Sequence, residues 1–194
     1  MGSALPFRLI LASGSPARRD LLTRAGYSFH VQPSHIDEPD GKGCKNPRTF
    51  VQQLAWEKAG AVAAQVKEGL VLAADTIGWI DGQIIGKPVD EEDARGILRR
   101  LGGRTHELWT GVCLWKRPDD LQIAWQEVSR VEFKNLSDKE LTDYLISRQW
   151  QGCSGAYAIQ EDDDPFVKVF EGSVTNVIGL PMETLERVLC SIPC

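Results

Sequence analysis

Leu70-Val-Leu-Ala-Ala74 is an unbroken apolar run of strand length, and Asp75-Thr76 follows it directly. A run with no polar alternation suits a strand covered on both faces, the kind found inside an α/β sheet rather than on an open one. The spacing predicts that the strand ends where Asp75 begins. A carboxylate placed straight after five apolar residues needs either a partner or an opening to a cleft, because burying it alone is costly.

The flanking segments fit the same class. Phe7 to Ala12 is a second apolar run, and Ser13-Gly14-Ser15-Pro16 then opens a helix with Ser15 as N-cap and Pro16 at its first position. Asn46-Pro47 starts another helix, whose face reads Phe50, Val51, Leu54, Lys58, Ala59 and Val62. Lys58 is a charge on an otherwise apolar stripe. Ile77 to Ile85 around Asp81-Gly82 reads as a hairpin. Asp90 and Asp93 start a helix that Gly102-Gly103 ends, and His106 to Trp115 and Leu121 to Phe133 read as long strands around Pro118-Asp119-Asp120. Ser137 and Glu140 form a capping box for a helix to about Ser147. Short strands at Ala156 to Ile159 and Phe166 to Phe170, a glycine-containing loop and a helix from about Met182 complete the chain. Strands and helices alternate without a strict βαβ repeat, so the expected architecture is α/β, a mixed twisted sheet with helices outside, in one domain over residues 1–194.

Composition narrows the function. With 22 basic and 27 acidic residues the formal charge is -5, which argues against a protein that tracks nucleic acid by neutralising phosphates. No stretch approaches the roughly 20 apolar residues of a membrane span, and no signal core follows a basic N-terminus, so a cytoplasmic location is expected. Cys44, Cys113, Cys153, Cys190 and Cys194 show no metal-ligand spacing and read as reduced thiols. His106-Glu107 lacks the second histidine of a zinc-protease motif. Gly82 to Lys87 falls one residue short of a P-loop and carries Pro88 where a hydroxyl should follow, so that motif is rejected too.

What remains is a set of charged and hydroxyl side chains suited to a polyphosphate. Ser13-Gly14-Ser15 sets backbone N–H groups at a helix N-terminus, which favours a phosphate, and Arg18 and Arg19 follow within the first turn. Asp37-Glu38 and Asp75 are hard oxygen donors of the type that holds magnesium or manganese together with substrate phosphates. Lys58 and Lys87 would supply positive charge to the phosphate chain. Each feature has a plain alternative: capping for Asp37, a solvated or snorkelling side chain for either lysine.

These pieces in this order resemble the Maf family of nucleotide pyrophosphatases from about Leu9 to Leu189. The matching blocks begin with Leu11-Ala-Ser-Gly-Ser-Pro16, Ile36-Asp-Glu38, Leu54-Ala55 with Glu57-Lys58-Ala59, and Ala74-Asp-Thr76. They continue with Gly86-Lys-Pro88, Leu101 to Gly103 with Arg104-Thr-His106, Thr110-Gly111, Gly155-Ala-Tyr-Ala-Ile-Gln160 and Asn176-Val-Ile-Gly-Leu-Pro181.

The resemblance implies a mixed α/β fold with two lobes around a deep cleft, related to the inosine triphosphate pyrophosphatases. It implies hydrolysis of nucleoside triphosphates to monophosphate and pyrophosphate, in clearance of dTTP, UTP or modified pyrimidine nucleotides, with a divalent cation, magnesium or manganese. The partner is then a nucleotide, with no nucleic acid and no membrane, and a homodimer is compatible. Asp75 falls on the family's catalytic proton acceptor, Glu38 on a metal-linked carboxylate, and Lys58 and Lys87 on its phosphate-side lysines. Arg18 falls on the second arginine of Ser-Pro-Arg-Arg, while Ala17 replaces the first. In the dTTP/UTP branch the positions of Ala17, Thr76 and Gln160 hold Arg, Thr and Gln and are associated with base choice; the 7-methyl-GTP branch has a bulky aromatic and Gln at the first two. Alternative readings are a 7-methyl-GTP pyrophosphatase or a weakly catalytic nucleotide-binding regulator of septum formation. A second departure is the acidic run Glu161-Asp-Asp-Asp-Pro165.

Overall fold

The computed structural model describes residues 5–157, 159 and 166–193. Its elements are β1 (Leu9–Leu11), α1 (Pro16–Arg24), β2 (Phe29–Val31), α2 (Pro47–Ala63), β3 (Gly69–Ile80), β4 (Gln83–Ile85) and α3 (Glu91–Leu101). There follow β5 (Thr105–Arg117), β6 (Leu121–Phe133), α4 (Asp138–Ser147), a 3₁₀ turn (Ser154–Ala156), β7 (Val167–Glu171), α5 (Val174–Ile178) and α6 (Met182–Ser191). Seven strands form one mixed sheet in the order β2-β1-β3-β5-β6-β7, with β4 paired to β3. The β1 pairings to β2 and β3 are parallel, and all the others are antiparallel.

The caps that the sequence announces are present. Ser15, Asn46, Asp90 and Ser137 each accept a backbone N–H of the helix that follows, and Ser137 with Glu140 closes both halves of its box. Asp81 and Gly82 both take positive φ, as a two-residue hairpin turn requires.

Strand alternation divides the core. Leu9, Leu11, Leu70, Leu72 and Ala74 pack with Leu22 of α1 and with Leu185 and Leu189 of α6 on one face. Ile10, Ala12, Val71 and Ala73 pack with Ala55, Ala59 and Val62 of α2 on the other. A second lobe gathers Ala94, Leu98 and Leu101 of α3 and Leu141 and Leu145 of α4 around Ile80, Leu108 and Phe133. The long strands β3, β5 and β6 run through both lobes.

Three expectations are corrected. The strand of Leu70 does not stop at Asp75; β3 runs on to Ile80, because the next turn signal is Asp81-Gly82 and antiparallel pairing with β5 continues as far as Trp79–Glu107. Ala156 to Ile159 does not begin as a strand, since Ser154–Ala156 is a 3₁₀ turn with Gly155 and Ala156 at positive φ. The stretch before Met182, expected as a loop, contains α5, a single short turn of helix capped by Ser173.

Candidate active site

Because β3 passes straight through position 75, the two-residue period of the strand sends neighbouring side chains to opposite faces. Asp75 follows Val71 and Ala73 toward α2, and Thr76 follows Leu72 and Ala74 toward α1. Each then meets one cation supplied by the helix on its side.

On the α2 side, Lys58 is buried within the apolar stripe of its helix and sends its Nζ to Asp75 Oδ1 at 2.7 Å and to Glu38 Oε1 at 2.8 Å. Burying a leucine side chain stabilises a fold by about 1.5–3 kcal/mol. An unpaired buried charge costs at least that much, so Lys58 and Asp75 are tolerable in this core only as a pair. Glu38 reaches them from the loop between β2 and α2 and stays half exposed. Asp75 Oδ2 and Glu38 Oε2 make no hydrogen bond among the described residues. Two carboxylates thus share one ammonium and each keeps an oxygen for another ligand.

On the α1 side, the Arg18 guanidinium donates to Ser13 Oγ at 3.1 Å, to Thr76 Oγ1 at 3.1 Å and to the Gly179 carbonyl at 2.8 Å. Burial pulls the Arg18 guanidinium below its ordinary range, and the carboxylates of Asp75 and Glu38 oppose that. Ser13 Oγ also accepts the Ser15 N–H, and Ser15 Oγ caps Arg18 N. Thr76 Oγ1 lies 2.9 Å from Thr110 Oγ1, which itself donates to the Asn176 carbonyl. The arginine therefore ties the loop before α1, the middle of β3 and the turn after α5 into one unit. Arg19 is exposed, away from this network.

Both faces open on one cleft of about 910 Å³, lined by Ser13 to Arg18, Glu38, Lys58, Asp75, Thr76, Lys87 and the 152–154 turn, among others. Lys87 sits exposed in its wall, and Ala17 is half-buried there. Of the ten site residues expected from the sequence, Ser13, Ser15, Ala17, Arg18, Glu38, Lys58, Asp75, Thr76 and Lys87 line this single cleft. Gln160 and the acidic run at 161–164 lie outside the described residues. Sequence reasoning missed Thr110 and Asn176 as supports of Thr76, and Ser154 and Gly155 as neighbours of the cleft. Thr110, Asn176 and Gly155 carried one signal, membership of blocks quoted above, and Ser154 carried none. Sequence reasoning weighed His106 only for a zinc motif, which it rejected; the residue is buried with Nε2 2.6 Å from the Tyr157 hydroxyl.

Among the described residues no helix is long and apolar enough to cross a membrane. Cys44, Cys113, Cys153 and Cys190 are free thiols. No group of three or more His, Cys, Asp and Glu side chains gathers as a metal cage among the described residues.

The Maf-like protein family model matches residues 8–192. A dTTP/UTP pyrophosphatase of Rhodopirellula baltica is 43% identical over 190 residues, covering 97% of this chain and 83% of that protein. A dTTP/UTP pyrophosphatase of Pelotomaculum thermopropionicum is 39% identical over 93% of this chain and 94% of its own length. A Synechococcus protein named nucleoside triphosphate pyrophosphatase is 41% identical over 93% and 92%. Among solved structures, the Staphylococcus aureus Ham1 protein is similar at 15% identity and a TM-score of 0.47 over 66% of this chain and 72% of that one, a likeness too distant to carry an argument. With a family match over nearly its whole length and relatives near 40% identity, the chain belongs to the Maf family.

Proposed function

We infer that this protein hydrolyses nucleoside triphosphates between the α- and β-phosphates, releasing a nucleoside monophosphate and pyrophosphate, with dTTP and UTP as preferred substrates. The observation that carries the reading is the carboxylate pair Glu38 and Asp75 held on the Lys58 ammonium at the wall of the cleft. The names of its relatives, dTTP/UTP pyrophosphatase and nucleoside triphosphate pyrophosphatase, support the activity.

The donor set suits a hard divalent cation. Two carboxylates with one free oxygen each match the way magnesium or manganese binds through one or two carboxylates and substrate phosphates. Glu38 and Asp75 would hold it, and it would supply polarisation of the α-phosphate and a more acidic water. Asp75 is the proton acceptor for the attacking water; when its one oxygen outside the Lys58 contact takes that proton, Glu38 holds the cation. Lys58 fixes Asp75 and Glu38 in register and adds positive charge beside the phosphates. Lys87, also in the cleft wall, neutralises charge building on the departing pyrophosphate. Arg18 acts from behind, keeping Ser13, Thr76 and Gly179 in place around the nucleotide. Base choice is assigned to Ala17 and Thr76 in the cleft wall, and by the family resemblance to Gln160, which lies outside the described residues.

The test is a panel of dTTP, UTP, GTP and 7-methyl-GTP with magnesium or manganese, reading both products. Monophosphate plus pyrophosphate, led by dTTP and UTP, is expected. Diphosphate plus orthophosphate, or binding without turnover, would refute the reading.

A further inference from the structure

The second lobe buries a histidine that the proposed chemistry does not use. His106, at the start of β5, is 2% exposed. Its Nε2 lies 2.6 Å from the Tyr157 hydroxyl, and its Nδ1 is buried with no partner among the described residues. Burial pushes the imidazole down to about 4, so it is neutral near pH 7. A neutral ring has one donor and one acceptor nitrogen, and here only one of them is satisfied. The hydrogen bond to Tyr157 is therefore the sole polar return on placing a histidine in this core.

Tyr157 is itself nearly buried, edge-on to His106 and tilted against Phe133. It terminates the 3₁₀ turn, where Gly155 and the fully buried Ala156 take φ of 80° and 60°. Positive φ is disfavoured for alanine, so this turn holds its shape only if its neighbours fix it. Two contacts lead from it to the cleft. The Gly155 N–H donates to the Gly86 carbonyl at 3.0 Å, next to Lys87, and Ser154 Oγ donates to the Thr76 carbonyl at 3.3 Å. Lys87 is close enough for its charge to act on the Cys153 thiol.

We propose that His106 is a positioning residue for the cleft: through the Tyr157 hydroxyl it anchors the 153–157 turn, and the turn clips the Lys87 loop to β3. The consequence for turnover rests on the pyrophosphatase reading, in which Lys87 meets the phosphate chain. The anchoring itself does not.

Two readouts separate these. Amide exchange at Gly155 reports the clip directly, and should quicken by roughly 2- to 10-fold in both Tyr157→Phe and His106→Leu, the range expected for one lost hydrogen bond. His106→Gln, whose amide reaches the position of Nε2, should restore most of the protection. In turnover, Tyr157→Phe should raise KM for dTTP by a similar factor with a smaller change in kcat, and the effect should vanish in a Lys87→Ala background. Native exchange at Gly155 in Tyr157→Phe overturns the proposal, because the hydroxyl would then anchor nothing. Effects of Tyr157→Phe and Lys87→Ala that multiply in full overturn the link to Lys87. A native protein that releases no pyrophosphate refutes the activity, while exchange at Gly155 still decides the anchor.

Discussion

Gly111 of β5 stands opposite Asp75 of β3 in the antiparallel register, and a Cβ at Gly111 would overlap the backbone of α2 at Val51 and Gln52. The missing side chain is what lets α2 lie close on the sheet at this level. That approach brings Lys58, two turns along the same helix, within 2.7 Å of the Asp75 carboxylate.

Gly111→Ala should therefore push α2 outward and separate the pair. Overpacking of this kind costs about 1–3 kcal/mol, so a lowered Tm is expected together with a fall in kcat/KM larger than the stability loss explains. Thermal melts and steady-state kinetics on the purified variant check this. Unchanged kinetics at a lowered Tm would uncouple helix position from the site.

Lys58 and Glu38 should separate stability from activity. Lys58→Met leaves Asp75 buried and unpaired, a change typically costing about 3–5 kcal/mol, and should lower the denaturation midpoint strongly. Glu38 is half exposed, so Glu38→Gln should leave the midpoint close to native. Both variants should lose most turnover. Denaturant titration beside a pyrophosphate assay tests the contrast, which fails if Glu38→Gln unfolds as easily as Lys58→Met.

How far the sequence foretold this site depends on the residue. Asp75 stood out because a charge followed an apolar run, and Lys58 because it broke an apolar stripe; the structure joins the two anomalies to each other. Arg18 was visible as a cation at a helix start and, through the family resemblance, as the second arginine of its Ser-Pro-Arg-Arg motif. That its guanidinium turns inward to Thr76 and Gly179 depends on contacts 58 and 161 residues away along the chain, which no local pattern encodes. The length of β3 was underestimated for a similar reason: Asp75 reads as a stop signal until its partner on α2 is known. The expected strand at Ala156 to Ile159 fails at its first residue because the positive φ of Ala156 is imposed by packing around it, not by composition.

His106 gives the fold an acid sensitivity with a definite sign. Its folded value near 4 lies below the ordinary 6.5, so the folded state favours the neutral ring. The stability this group contributes is fully present above about pH 6.5 and is lost as the pH falls toward 4, a loss on the order of 3 kcal/mol. His106→Gln should flatten the dependence of the denaturation midpoint on pH across that window. An equally steep fall in the variant would assign the effect to other groups.

Base choice should respond to position 17. Ala17 lines the cleft in the first turn of α1, where its side chain offers no polar atom. Ala17→Arg should sharpen the preference for dTTP and UTP over GTP by roughly 2- to 10-fold, the worth of one polar contact. Lys87→Ala, by contrast, should weaken all triphosphates alike. The check is kcat/KM for dTTP, UTP, GTP and 7-methyl-GTP on the three proteins. A native preference for 7-methyl-GTP would contradict the branch assignment.

The most direct measurement is pyrophosphate release from dTTP and UTP by Asp75→Asn, with folding followed in parallel by circular dichroism. The amide keeps the size of the carboxylate and a hydrogen-bonding oxygen for Lys58 while removing the charge and the proton acceptor. If Asp75 is the base on which turnover depends, the rate falls by about 10²- to 10⁴-fold in a protein that remains folded. A folded Asp75→Asn variant that keeps more than about a tenth of the native rate, well outside that range, would contradict the account.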